Sequence, residues 1–243
     1  MNIKTWLFIA NLITLKTTNL KKTVIITGAN RGLGKGFVDV LIQDEDCFII
    51  SISRRLSEEQ KTYSSERFFF LEMDLSQDDI SKKLSQLEEK IGNEAVFYIN
   101  NASIIEPIVK IEDLDEKAID KILSVNVKPT ILLTKYILKN FKDNQLTLVN
   151  ISSGAANRPI NNWSLYCSTK AFNQMFFNVA ESENEQHRFF NINPGVLDTG
   201  MQESIRESDF PDAEKFKELQ KEGQLKSPFD VAKEILETIQ YNQ

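Results

Sequence analysis

The chain is poor in the residues that many enzyme mechanisms depend on. It has one histidine, His187, among its 243 residues, so a Ser-His-Asp hydrolase would have to be built on that position. His187 stands in a charged stretch, ENEQHR, with no nucleophile motif beside it, and reads as a surface or strand-edge residue. There are two cysteines, Cys47 and Cys167. Their spacing fits neither a metal site nor a redox motif, so they read as reduced thiols of a cytoplasmic protein, and no metal is expected. Nine glycines and six prolines exclude a low-complexity chain. Basic charge is short as well. Against 35 Asp and Glu there are 29 Lys and Arg, a net charge of −6, which gives no global attraction to nucleic acid or an anionic membrane. The pairs Lys21-Lys22 and Arg54-Arg55 are too small for a nucleic-acid footprint. The apolar stretch from Trp6 to Leu15 is interrupted by Asn11 and is too short to span a bilayer. It also lacks a convincing small-residue cleavage site. Residues 1–20 are therefore expected to form an extension outside the fold, or a helix lying on it.

What is present is a regular alternation of apolar runs and helical periodicity from residue 21 to the end. Strands are expected over 23–28, 47–53, 67–75, 95–102, 145–153 and 188–195. Helices are expected over 32–43, 78–91, 115–141, 164–182, 213–223 and 227–240, with a kink or break at Pro129. The strands are continuously apolar rather than alternating, as a parallel sheet covered on both faces requires. Parallel neighbours need helical crossovers. The expectation is one α/β domain over 21–243, a Rossmann-type doubly wound parallel sheet with helices on both faces and a ligand crevice beyond the carboxyl ends of the strands.

Each chemistry-bearing motif falls at such an end. Strand one runs into TGANRGLG (27–34), where glycines allow a tight turn and let backbone N–H groups approach a pyrophosphate at the start of the next helix. Asn30, Arg31 and Leu33 belong to that loop. Strand two ends SISRR, without the carboxylate that would hold a ribose 2′-hydroxyl. Arg31 and Arg54 can instead grip a 2′-phosphate, which favours NADP(H). INNAS (99–103) offers small residues against which a dinucleotide can lie. NISSG (150–154) is followed by YCSTK (166–170), whose Tyr166 and Lys170 are four apart and share one helix face. A neighbouring ammonium is expected to lower the phenol pKa and make Tyr166 an acid-base group.

This combination resembles the short-chain dehydrogenase/reductase family over about residues 21–240. The family's TGxxxGxG motif matches Thr27, Gly28, Gly32 and Gly34, and its adenine-contacting aspartate matches Asp74. Its NNAG motif matches Asn100, Asn101 and Ala102, with Ser103 in place of the last glycine. Asn126 matches the helix-four asparagine, and Ser153, Tyr166 and Lys170 match the catalytic serine, tyrosine and lysine. Pro194 and Gly195 match the PG motif, and Thr199 the nicotinamide-contacting threonine. Within the family, NISSGA, WSLYCSTKA and PGVLDTGMQ are similar to the benzil reductases and sepiapterin reductases. The family's final strand has no counterpart before Gln243.

The resemblance implies an NADPH-dependent carbonyl reductase acting on a small-molecule ketone or α-dicarbonyl, and a homo-oligomer, dimer or tetramer. Ser153 would polarise the carbonyl, Tyr166 would protonate the developing alkoxide, Lys170 would hold the cofactor ribose and tune Tyr166, and Asn126 would position a relay water. The nicotinamide amide would sit near Thr199 and Leu197. Substrate contacts are expected from Trp163, the region after Ser103, and the segment Met201 to Leu225 acting as a lid, with Trp163 equally readable as core. A pterin or other ketone reductase is the first alternative, although no aspartate follows a C-terminal extension as in the sepiapterin reductases. A nucleotide-sensing regulator is the second, and it has no need of Ser153, Tyr166 and Lys170 together.

Overall fold

The computed structural model describes residues 21–242, so the expected extension over 1–20 lies outside the described residues. Six strands pair in parallel in the order β3-β2-β1-β4-β5-β6. They are β1 Lys22–Thr27, β2 Cys47–Ser53, β3 Phe68–Glu72, β4 Ala95–Asn100, β5 Leu146–Ile151 and β6 Arg188–Ile192. Helix α1 (Gly32–Leu41) joins β1 to β2, and α2 (Ile80–Leu84) follows β3. Helices α3 (Glu116–Asn126) and α4 (Lys128–Asn140) join β4 to β5, and α5 (Ser164–Glu183) joins β5 to β6. Helices α6 (Gly200–Glu207), α7 (Ala213–Lys221) and α8 (Pro228–Thr238) end the chain. The strand order reverses between β1 and β4, and the crevice at that switch point is where such sheets bind ligands.

β1 shows why both faces are covered. Val24 and Ile26 join Phe37 and Leu41 of α1 and Val231 and Ile235 of α8, whereas Ile25 joins Leu133 and Ile137 of α4 and Phe177 of α5. The period of two sends neighbours to opposite faces. Each such side chain contributes roughly 1.5–3 kcal/mol by leaving water. On the α4–α5 face a chain of amides crosses three strands. Tyr98 Oη donates to Asn100 Oδ1 (3.2 Å), Asn100 to Asn150 (3.1 Å), Asn150 to Asn191 (2.8 Å), and Asn191 to Asn178 of α5 (2.8 Å). A satisfied buried network tolerates no slip, so it fixes the relative heights of β4, β5 and β6.

Several expectations need correction. Apart from β2, which ends at Ser53 as expected, the strands stop one to three residues short of their expected carboxyl ends. The chain turns away there, as at Gly28, whose φ of +67° leaves the β region. The helix expected over 78–91 is α2 followed by a single 3-10 turn, Ser85–Leu87, in which Leu84 and Leu87 eclipse and both enter the core. The break expected at Pro129 within 115–141 is there: two helices meet at Val127, and Pro129 occupies the first turn of the second, where its missing N–H costs nothing. Of the two readings of His187, the strand edge holds: it stands just before β6 and is buried, with its N–H donating to Asn184 O (2.9 Å). Helix α6 was not anticipated at all. Ser227 caps α8, its hydroxyl accepting from the N–H of Asp230. Among the described residues no strand pairs with the outer edge of β6, no helix is long and apolar enough to cross a membrane, and no His/Cys/Asp/Glu group is arranged for a metal.

Candidate active site

A single cavity of about 400 Å³ opens over the carboxyl ends of the strands. At one end it is lined by Gly28, Arg31 and Gly32 of the first loop, Arg54 after β2 and Asp74 after β3. At the other it is lined by Ser153, Tyr166, Lys170 and Trp163. Between them lie Asn101 and Ala102 after β4 and Pro194, Gly195, Leu197 and Thr199 after β6.

The first loop is held from below. Thr27 Oγ1 accepts from the N–H groups of both Asn101 and Ala102 (3.0 Å each), and Asn101 Nδ2 donates to Thr27 O (2.9 Å). These bonds tie the exit of β1 to the exit of β4. A Cβ on Gly34 would stand 2.2 Å from Gly28 O, so only glycine lets α1 start this close under the loop. Thr199 covers it from above, its Cγ2 lying 3.3 Å from where a Cβ on Gly32 would be. Arg31 and Arg54 are exposed, and no ion pair among the described residues engages either. Asp74 accepts from Ser76 N and Oγ at its Oδ1, leaving Oδ2 available.

At the other end, β5 delivers Ser153 in extended backbone. Its Oγ accepts from Ala155 N (3.2 Å), which fixes the hydroxyl's direction. Tyr166 and Lys170 lie one turn apart near the start of α5 and are 6% and 4% exposed. Lys170 Nζ donates to Ile151 O (2.8 Å) and sits 5.6 Å from the centre of the Tyr166 ring. Burial pushes the Tyr166 phenol up to about 12, with the Ser153 hydroxyl acting in the opposite direction. Burial brings Lys170 down to about 8. The expectation that the ammonium lowers the phenol is therefore not met in the protein alone, because both groups are desolvated and burial dominates. A phenol that keeps its proton at neutral pH is nonetheless what protonation of an alkoxide requires.

Of the sequence-named residues, Thr27, Gly34, Asn100 and Asn126 do not line the cavity, Asn100 being buried in the amide chain across the sheet. Thr27 and Gly34 form the scaffold beneath the loop. Asn126 is buried, and its side chain is committed to Ile104, accepting from its N–H (2.9 Å) and donating to its C=O (2.8 Å), with Thr169 Oγ1 nearby at 3.2 Å. Its C=O accepts from Asn173 Nδ2 (2.8 Å). It braces α3 against the β4 exit and α5, with both amide hydrogens taken by Ile104 O and Thr169 Oγ1. Trp163 is both core and wall. It stacks on Phe216 of α7 (5.6 Å, 25°) and meets Phe210 and the edge of Tyr166. The rest of the wall, Ile104, Ile105, Ile160, Ile205 and Phe216, carried no motif. The expected contacts after Ser103 and over 201–225 cover Ile104, Ile105, Ile205 and Phe216 of it, without naming the residues.

A doubly wound sheet with this cavity at its switch point, a glycine loop opening α1 and a buried Tyr–Lys pair is the frame of a nicotinamide-dependent oxidoreductase. Residues 22–209 match the short chain dehydrogenase family, and the chain belongs to it, as an enzyme acting on CH–OH or C=O groups. It is 33% identical over 242 residues to a "Benzil reductase ((S)-benzoin forming)" of Bacillus cereus, covering 90% of this chain and 96% of that one. It is 30% identical over 246 residues to a "Sepiapterin reductase" of Bos taurus, covering 93% and 92%. Among solved structures, the KRED1-Pglu enzyme superposes with a TM-score of 0.79 at 28% identity, covering 87% of this chain and 91% of that one. ElxO with NADP bound superposes with 0.74 at 25% identity, covering 89% and 90%.

Proposed function

We propose that the protein is an NADPH-dependent carbonyl reductase for ketones or α-dicarbonyls with bulky apolar flanks, similar in reaction to the benzil reductases. The observation that carries this is the shared cavity, with two unpaired arginines at one end and Ser153, Tyr166 and Lys170 against an aromatic wall at the other. The residues fit a dinucleotide, since the loop over Gly34 leaves no room for a Cβ and presents backbone at the start of α1. Arg31 and Arg54 would hold a 2′-phosphate, Asp74 the adenine, Lys170 the ribose, and Leu197 and Thr199 the nicotinamide amide. When bound, the cofactor supplies the hydride.

The protein's own residues supply the rest. Ser153 O–H donates to the carbonyl oxygen and polarises it. Tyr166 donates its proton to the same oxygen as negative charge develops there. Lys170 holds its place through Ile151 O, and Asn126 acts at a distance as a positioning residue. Trp163, Met201 and Phe216 exclude water and orient the flanking groups. The outer face of α5, with Phe172, Met175 and Val179 exposed, suits packing against a second copy, as a homo-oligomer requires. Two free thiols suit the reducing cytoplasm. The test is loss of NADPH absorbance with a panel of aryl diketones, simple ketones and pterins. Turnover of the diketones with NADPH in preference to NADH is expected. Turnover of pterins alone, or cofactor binding without turnover of any carbonyl, would overturn the reading.

A further inference from the structure

Ser57 and Gln60 stand three apart in SEEQ (57–60) and close a turn on each other. The Ser57 N–H donates to Gln60 Oε1 (3.1 Å), and the Gln60 N–H donates to Ser57 Oγ (3.3 Å), the reciprocal pattern of a capping box. That pattern uses only the carbonyl end of the Gln60 amide. The other end reaches 31 residues back along the chain, Nε2 donating to Ala29 O of the first loop (2.8 Å). Gln60 is 2% exposed and Ala29 is wholly buried, so water does not compete for this bond. Chemistry fixes which end of the amide meets which partner, because a backbone N–H only donates and a carbonyl only accepts.

The place of the bond gives it a use. β1 and β2 stay paired up to Thr27 and Ile52, and one more backbone bond follows, from Gly28 N to Ile52 O (2.8 Å). Past it the two segments part. One turns through Ala29 and Asn30 to Arg31, and the other runs through Ser53 to Arg54. Beyond that point, among the described residues, two polar side-chain contacts join them. One is the ion pair of Lys35 with Glu59 (3.2 Å), whose carboxylate side chain is 65% exposed, and an exposed pair contributes little. The other is Gln60 to Ala29 O. The foot of the first loop has its own anchors, Thr27 Oγ1 with the N–H groups of Asn101 and Ala102. The Gln60 bond is therefore spent on the relation between the two arginine-bearing segments.

We propose that Gln60 is a positioning residue for cofactor choice, holding the segments of Arg31 and Arg54 together so that both guanidinium groups meet one 2′-phosphate. This role rests on the reading of those arginines as 2′-phosphate contacts. NADH presents no phosphate there, so its binding depends less on the bond.

The experiment measures Kd for NADPH and for NADH by fluorescence titration of the full chain without a carbonyl substrate. The readout is the ratio of the NADH to the NADPH value. Gln60→Met keeps a neutral, unbranched side chain of similar length and is expected to lower the ratio about tenfold, the scale of one hydrogen bond. Gln60→Asn, one methylene too short, serves should the first variant fail to fold. Ser57→Ala loosens the turn but leaves the bond to Ala29, and the ratio should stay within about twofold of wild type. Because Gln60 acts through the arginines, Gln60→Met in an Arg54→Ala background should lower the ratio by less than about a further twofold. General loosening of the fold weakens both nucleotides and leaves the ratio in place. An unchanged ratio in a folded Gln60 variant, an equal loss in Ser57→Ala, or an equal loss in both backgrounds overturns the role of Gln60 and leaves the cofactor reading standing. A wild type that does not prefer NADPH overturns both.

Discussion

The buried ammonium of Lys170 has a cost that stability measurements can read. In the unfolded chain its pKa is about 10.5, and burial brings it down to about 8 in the fold. Between those values the unfolded chain binds a proton that the folded chain does not, so the stability contributed by this position rises with pH. At pH 7 both states carry the charge, and the fold bears the desolvation penalty. By pH 10 the folded amine is neutral, and the gain integrates to about 2–3 kcal/mol. Lys170→Met removes the titrating group while keeping an unbranched chain, at the cost of leaving Ile151 O without its 2.8 Å donor. The unmet carbonyl is the same at every pH and does not enter the slope. Tyr166, pushed up to about 12, titrates above this window. The assay is urea unfolding of wild type and variant at several pH values from 7 to 10. The stability of wild type relative to variant is expected to rise by about 2–3 kcal/mol across that range. A flat difference, or one that falls with pH, would refute the desolvation argument. A fall would mean that a partner holds the ammonium charged in the fold.

Gly34→Ala places a Cβ 2.2 Å from Gly28 O, and relief requires the backbone of the first loop to move. A loss of about 1–3 kcal/mol is expected, seen as a drop in Tm of roughly 2–12 °C for a chain of this size, together with weaker cofactor binding by titration. Arg54→Ala and Arg31→Ala each remove a guanidinium that no carboxylate among the described residues neutralises. Each should raise the KM for NADPH about 10- to 100-fold, the value of a lost charge-assisted contact, while leaving the KM for NADH nearly unchanged. An equal rise for both cofactors would place the arginines elsewhere than at a 2′-phosphate.

The parts legible in the sequence were those dictated by backbone chemistry. The first loop showed itself because φ at Gly28 and the clearance at Gly34 can be met by glycine alone. The sheet showed itself because strands covered on both faces must be continuously apolar. The Tyr166–Lys170 pair was legible through helical spacing, which put both in one cavity with Ser153. What was not legible depends on contacts between distant segments. Nothing in SVNV says that Asn126 spends its amide on Ile104, 22 residues earlier. Nor does local pattern reveal that Asn100, Asn150 and Asn191 join across three strands. The charged neighbours of His187 left surface and strand edge both open, and its burial just before β6 was not readable from them. The aromatic wall combines Trp163 with Phe210 and Phe216, which no spacing rule connects, and α6 is too short and too polar to announce itself. The pKa of Tyr166 was misjudged for a related reason. The sequence shows the neighbouring charge but not the depth of burial, and burial is the larger effect.

The central claim is that Tyr166 gives the proton while the rest of the cavity holds the cofactor. Tyr166→Phe tests it most directly, because the ring and its contact with Trp163 remain and only the hydroxyl is lost. NADPH binding, measured by fluorescence titration, should stay within a few-fold of wild type, and turnover of a diketone should fall by roughly 100- to 10,000-fold, the range for a lost general acid. Turnover near the wild-type rate in the folded variant would contradict the account.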